Sequence, residues 1–128
     1  MSGVSIVVPV YNEEESLGPL WEALHPVMLG LDRPWEVIFI DDGSSDGSAL
    51  VLEEMAAAHS EIKVVSFRRN FGQTAAMDAG FKHAGGEGVI AMDADLQNDP
   101  ADIPLLLSEM DGGVDVVKGW RKNRQDPN

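Results

Sequence analysis

With 128 residues, 44% hydrophobic and 24% charged, the chain can bury one core, and its composition is ordinary for a globular domain rather than a disordered one. A formal net charge of −13 excludes a surface built overall for nucleic acid or anionic lipid; four of the nine cationic residues (Lys118, Arg121, Lys122, Arg124) crowd the last eleven positions. No cysteine is present, which excludes disulfides and thiolate metal sites, and no apolar run approaches the roughly eighteen residues of a membrane span. The N-terminus lacks the basic start and cleavage site of a secretory leader, so the expected setting is cytoplasmic.

In chain order, SIVVPV (5–10) is a strand rich in β-branched residues. Glu14–Leu29 follows as a helix, with Leu17, Leu20, Trp21, Leu24, Val27 and Met28 at three- and four-residue steps. EVIFIDD (36–42) is the second strand, and Ser48–His59 the second helix, after the Asp46-Gly47 turn. KVVSF (63–67), the helix Gly72–His83, GVIAMDA (88–94), the helix Ala101–Met110 opened by Pro100, and VDVVKG (114–119) complete the series. The near-continuous apolar character of the middle strands predicts burial on both faces. Strict alternation of strand and helix predicts an α/β fold, a mostly parallel sheet flanked by helices and joined by right-handed crossovers. His25, His59 and His83 are isolated within helix patterns and read as surface or satisfied residues; Trp21, Met28 and Met110 read as core stripe.

In such sheets a ligand sits beyond the carboxyl ends of the strands. The segments that follow the strands here are PVYNEEE (9–15), DDGSSDGS (41–48), RRNFGQ (68–73), DADLQNDP (93–100) and GWRKNRQDP (119–127), so polar and charged residues collect along that edge. Asp93 and Asp95, two apart on a strand, would share a face. Two carboxylates held that close need a shared proton or a hard divalent cation between them, and an oxygen-only ligand set favours Mg²⁺ or Mn²⁺ over Zn²⁺. The competing reading makes them caps of the helix near Ala101. Carboxylates in IDDGSSDG suit a ribose hydroxyl or base N–H, or else Asp46 or Ser48 caps the next helix. Tyr11 either stacks on a base or packs its own loop, with Glu13 beside the same edge. Arg68, Arg69, Arg121, Lys122 and Arg124 form the dense positive charge, suited to phosphate oxygens or simply solvated. Neither a dinucleotide fingerprint nor a P-loop occurs.

Taken together, VVPVYNEEESL, VIFIDDGSSDGS, RNFGQTAAMDAGF, MDADLQNDP and GWRKNRQD resemble the GT-A-type family 2 glycosyltransferases. Within them the chain looks most like the polyprenyl-phosphate branch: dolichyl-phosphate mannose synthases, bactoprenol glucosyltransferases and undecaprenyl-phosphate formamido-arabinose transferases. RNFGQ and RKNRQD favour the bacterial members, for which UDP-sugars are the usual donors. The resemblance implies a GT-A (Rossmann-like) nucleotide-sugar-binding domain over 1–128. It implies a nucleotide pocket lined by Pro9, Tyr11, Glu13, Ile40 and Asp42. Asp93, Ala94 and Asp95 would hold the metal and the donor diphosphate, with Gln97 in the metal site. Arg121 would meet the donor or acceptor phosphate, with Lys122 and Arg124 beside it. The implied reaction is inverting transfer of a sugar from a nucleotide-sugar to a polyprenyl phosphate at the cytoplasmic face of a membrane. Asn98-Asp99 departs from relatives that carry another residue and a second proline. Members of the family continue well past residue 128, so the expectation is a fragment ending before the acceptor-binding and membrane-associated part. Such a fragment would expose apolar surface able to drive self-association. Two rival readings remain. One is a haloacid-dehalogenase-like phosphatase using Asp93 and Asp95; the other is a nucleotide-binding module without catalysis.

Overall fold

The computed structural model describes residues 3–95, 99–111 and 116–117. Strand β1 is Val4–Val10, followed by α1 (Glu14–Leu29), β2 (Trp35–Asp41), α2 (Ser48–Ala58), β3 (Ile62–Ser66) and α3 (Gln73–His83). Then come β4 (Gly88–Ala91), a short 3₁₀ helix (Pro100–Asp102), α4 (Ile103–Asp111) and β5 (Val116–Val117). The strands form one sheet in the order β3-β2-β1-β4-β5, every pairing parallel. The expected α/β layering is therefore present, because each strand returns to the same edge through a helix.

The period of two along the strands divides the core between the two faces of the sheet. Val4, Ile6, Val8 and Val10 of β1, with Val37 and Phe39 of β2, pack with Leu17, Leu20, Leu24 and Met28 of α1 and Leu52 of α2. Val7, Ile38 and Ile40 face the other way and pack against Ala76 of α3. Gly80 allows this close seating, since a Cβ there would run into the side chains of Val7 and Ile40. Trp21 is half-buried against the first core. The side chain of Met110 lies outside the described residues.

Two expectations change. β4 ends at Ala91 rather than Ala94: β1 pairs with it only through Val7↔Ala91, then continues along β2 as far as Val10↔Asp41. Met92 still donates its N–H to the Val7 carbonyl (3.0 Å), after which the chain peels away into a turn. The fourth helical segment begins as a 3₁₀ turn, and its cap is Asp99, which accepts from the Ala101 N–H (3.0 Å), not Asp93 or Asp95. The reading of the histidines as surface or satisfied residues stands: exposed His83 places its Nδ1 2.9 Å from the Ala79 carbonyl. His25 stacks on Trp21 (4.5 Å between centroids), and His59 accepts from Trp21 Nε1 (3.2 Å). Among the described residues no helix is long and apolar enough to cross a membrane.

Candidate functional site

Where β4 parts from β1, the carboxyl edge of the sheet opens into a cleft of about 400 Å³. Strand order reverses its direction of growth at this point, with β2 and β3 on one side of β1 and β4 on the other, the position at which open α/β sheets bind ligands. Pro9, Tyr11 and Glu13 line the cleft from the end of β1, Asp42 from the end of β2, and Asp93, Ala94 and Asp95 from the turn after β4. Ile40 does not join them: it is fully buried beneath α3, because strand alternation points it into the second core. Gln97, Arg121, Lys122 and Arg124 lie outside the described residues.

The two turns that enter the cleft from β1 and β2 are clasped together. Asn12 Oδ1 accepts from the N–H groups of Ser45 (2.8 Å) and Asp46 (3.3 Å), and Asn12 N–H donates to Ser44 Oγ (2.9 Å). Glu13 N–H donates to Ser48 Oγ (2.9 Å), Glu14 N–H to Asp46 Oδ2 (3.2 Å), and Gly47 N–H to Glu14 Oε1 (3.0 Å). Asp46 Oδ1 also accepts from Ser48 N–H (2.9 Å), an Asx turn; the N-cap position of α2 is Gly47, so neither Asp46 nor Ser48 is its cap. Its hydrogen bonds, that from the Ser48 hydroxyl foremost, hold the Asp46 carboxyl below its ordinary range. Asn12 adopts φ 53, the one non-glycine among the described residues with positive φ, and this bend carries the chain between the cleft-lining Tyr11 and Glu13.

Four further residues line the cleft without standing out in the sequence: Val10 at the end of β1, Asn70 and Gly72 in the loop between β3 and α3, and Gln73 at the start of α3. RRNFGQ was recognised as an edge segment for its arginines, yet Arg69 rests over the Phe71 ring (4.9 Å). What holds the loop is Asp42, buried and accepting from Asn70 Nδ2 (2.9 Å), Phe71 N–H (2.7 Å) and Gly72 N–H (3.1 Å). Gly43 at φ +72 lets the backbone of Arg69 and Asn70 pass directly over it; a Cβ there would collide with that backbone.

Among the described residues that line the cleft there is no lysine or arginine. Burial pushes the Glu13 carboxyl above its ordinary range; Asp95, then Asp93 and Asp46, push it further, against a hydrogen bond with Ser16. That crowding fits a cation held by Asp93 and Asp95 opposite Glu13. Among the described residues no three acidic or histidine side chains form a complete metal cage by themselves. A hard divalent cation does not need one, because Mg²⁺ and Mn²⁺ take remaining ligands from water and from a substrate's phosphates.

Residues 5–128 match the family model described as glycosyl transferase family 2. The dodecaprenyl-phosphate galacturonate synthase of Rhizobium johnstonii is 45% identical over 125 residues, 96% of this chain and 37% of that protein. The undecaprenyl-phosphate 4-deoxy-4-formamido-L-arabinose transferase of Salmonella choleraesuis is 48% identical over 124 residues, 96% of this chain and 38% of that one. The chain thus spans less than two fifths of the curated relatives it matches. Among solved structures, the glucosyl-3-phosphoglycerate synthase of Mycobacterium tuberculosis, in complex with Mn²⁺, UDP and glucosyl-3-phosphoglycerate, superposes with TM-score 0.65 at 25% identity. It covers 85% of this chain and 39% of that one.

Proposed function

The chain belongs to glycosyl transferase family 2, and from that membership we propose that it forms the donor-binding part of an enzyme transferring a sugar from a nucleotide-sugar to a polyprenyl phosphate. Its fold is the GT-A arrangement. The observation that carries the reading is the crowding of Glu13, Asp93 and Asp95 at one cleft, where β4 leaves β1.

In this reading Tyr11 and Pro9 flank the nucleoside of a donor, UDP-linked in preference to GDP-linked. Asp93 and Asp95 hold Mg²⁺ or Mn²⁺ together with the donor diphosphate, and Ala94, 2% exposed, keeps the turn between them compact. When bound, the cation supplies neutralisation of the charge that grows on the departing nucleoside diphosphate. A phosphate oxygen of the acceptor attacks the anomeric carbon as the bond to the diphosphate breaks, inverting that centre. A lipid monophosphate, with a second pKa of about 6, is already largely anionic at neutral pH and needs holding rather than deprotonating. Arg121, Lys122 and Arg124 take that role, and the enzyme works at the cytoplasmic face of a membrane.

Calorimetric titration of the chain with UDP and with GDP, each with and without Mn²⁺, repeated on Asp95→Ala, tests the reading. The expected result is UDP binding that depends on Mn²⁺ and weakens by at least about tenfold in Asp95→Ala. Binding that ignores the metal, or no binding of either nucleotide, would overturn it.

A further inference from the structure

We infer that His25 and His59 together form a site for a borderline transition-metal ion (Zn²⁺, Ni²⁺ or Cu²⁺), away from the cleft and of different chemistry. His25 lies near the C-terminal end of α1, and His59 is the C-cap residue of α2. Both therefore stand at the helix ends remote from the turns that enter the cleft. Their ring centroids are 4.8 Å apart, with the planes at 68°. Each ring is half-buried and keeps some contact with solvent.

The spacing suits a shared ion. With metal–nitrogen bonds of about 2.0–2.1 Å, an ion lies roughly 3.2 Å from the centre of each imidazole that binds it. Centres 4.8 Å apart then subtend roughly 100° at the ion, between the square-planar and tetrahedral angles of Cu²⁺ and Zn²⁺ sites. The protonation pattern suits it too. An indole nitrogen only donates, so the bond from Trp21 Nε1 (3.2 Å) requires His59 Nε2 to be unprotonated and to present its lone pair. That is the form in which imidazole binds a metal. An incoming ion takes the place of the indole hydrogen at Nε2. The same indole is stacked on His25 at 4.5 Å between centroids, so the second ring already stands beside that position. Among the described residues no third acidic or histidine side chain completes a cage, and water fills the remaining positions.

The chain thereby sorts ions by hardness. The oxygen ligands of the cleft suit Mg²⁺ or Mn²⁺, whereas a pair of imidazoles suits Zn²⁺, Ni²⁺ and, most tightly, Cu²⁺. A bound ion also ties α1 to α2 at their far ends, as Glu14, Asp46 and Ser48 tie them at their near ends, and so stabilises the folded chain by mass action.

The test is titration of the chain with Cu²⁺, followed by tryptophan fluorescence, with Mg²⁺ in excess to occupy the oxygen ligands of the cleft. Trp21 touches both histidines, so an ion held between them quenches it. The expected result is saturable quenching that a chelator reverses. Binding should weaken at least about tenfold in His25→Gln and in His59→Gln, since each leaves a single imidazole, and stay unchanged in His83→Gln. Trp21→Phe removes the bond that the ion must displace, and calorimetry should show Cu²⁺ binding to it about fivefold more tightly. Zn²⁺ should raise the melting temperature of the wild type and of His83→Gln but not of the other two histidine variants, a readout independent of fluorescence. Quenching that survives both His25→Gln and His59→Gln, or no saturable binding in the wild type, overturns the site. A loss confined to one of those two variants overturns the sharing of the ion. Weaker binding to Trp21→Phe overturns its placement at Nε2 of His59.

Discussion

At Glu13 the crowding of the acidic cleft falls on a single carboxyl group. Its folded-state pKa lies above the unfolded value, from burial first and the nearby aspartates next, so the folded chain binds its proton more tightly than the unfolded chain does. Below the ordinary carboxylate range both states are protonated and nothing is lost. As pH rises through the window between the ordinary and the raised value, stability falls, and the cost persists at neutral pH. Glu13→Gln is therefore expected to raise the melting temperature of the metal-free chain at neutral pH. The gain should fade in acid and shrink when Mn²⁺ is added, as followed by thermal denaturation across a pH series. A lower melting temperature at neutral pH would mean that lost hydrogen bonding outweighs the relief of charge. At this scale the sequence was readable where chemistry alone identifies a residue: paired aspartates are conspicuous wherever the backbone places them. It misled at Ile40, assigned to the pocket by its neighbours in the motif although strand alternation turns it to α3. It was silent on Asn70, an amide in an arginine-rich stretch whose meaning depends on a carboxylate 28 positions away.

Between elements, the clasp joining the turns after β1 and β2 replaces the caps that α1 and α2 lack. Neither Glu13 nor Gly47, the N-cap positions of those helices, makes a capping bond with its own side chain. The orphan N–H groups are satisfied across the gap instead, by Asp46, Ser48 and Glu14. Asn12 contributes a side-chain acceptor for two N–H groups and tolerance of a left-handed backbone. Asn12→Ala forfeits both and is expected to cost about 2–3 kcal/mol in urea denaturation. Asn12→Gly restores the backbone but not the acceptor and should cost about 1 kcal/mol less than the alanine variant. Equal losses in the two variants would show that the φ of 53 carries no strain. Helix limits were legible because periodicity and turn residues are local; α1 spans the residues its apolar stripe predicted. The length of β4 was not legible, since nothing in GVIAMDA reveals that the ladder to its partner strand stops at Val7. That early parting opens the cleft.

Across the whole molecule, the edge that carries the cleft is balanced by an opposite edge that ties the sheet shut. Glu36 Oε2 accepts from Ser5 Oγ and from Gly85 N–H, both at 2.6 Å; its Oε1 meets Lys63 Nζ at 2.6 Å, and Ser5 Oγ accepts from Gly86 N–H (2.9 Å). One carboxylate thus links β1, β2, β3 and the turn between α3 and β4. No local pattern announces it, because its partners come from three separate stretches of chain, all distant from Glu36 in sequence. Burial pushes the Glu36 carboxyl up, but Lys63, Ser5 and the Gly85 N–H more than offset this, leaving its pKa below the ordinary range. The sign is opposite to that of Glu13. The contribution to stability is complete above the ordinary carboxylate value and is lost as pH falls through the folded-state value. Lys63 is 56% exposed, so the ion pair itself is screened and worth little, while the bonds from Ser5 and Gly85 to a charged acceptor carry most of the effect. Glu36→Gln is expected to lower stability by about 2 kcal/mol at neutral pH, with the gap to the wild type closing in acid and changing little when salt is added. A penalty abolished by salt would assign the effect to Lys63. A penalty that persisted in acid would assign it to the shape of the side chain rather than its charge. Because this knot lies at the end of the sheet away from the cleft, the same variant should bind UDP as the wild type does, which separates the stability of the fold from the chemistry at its other edge.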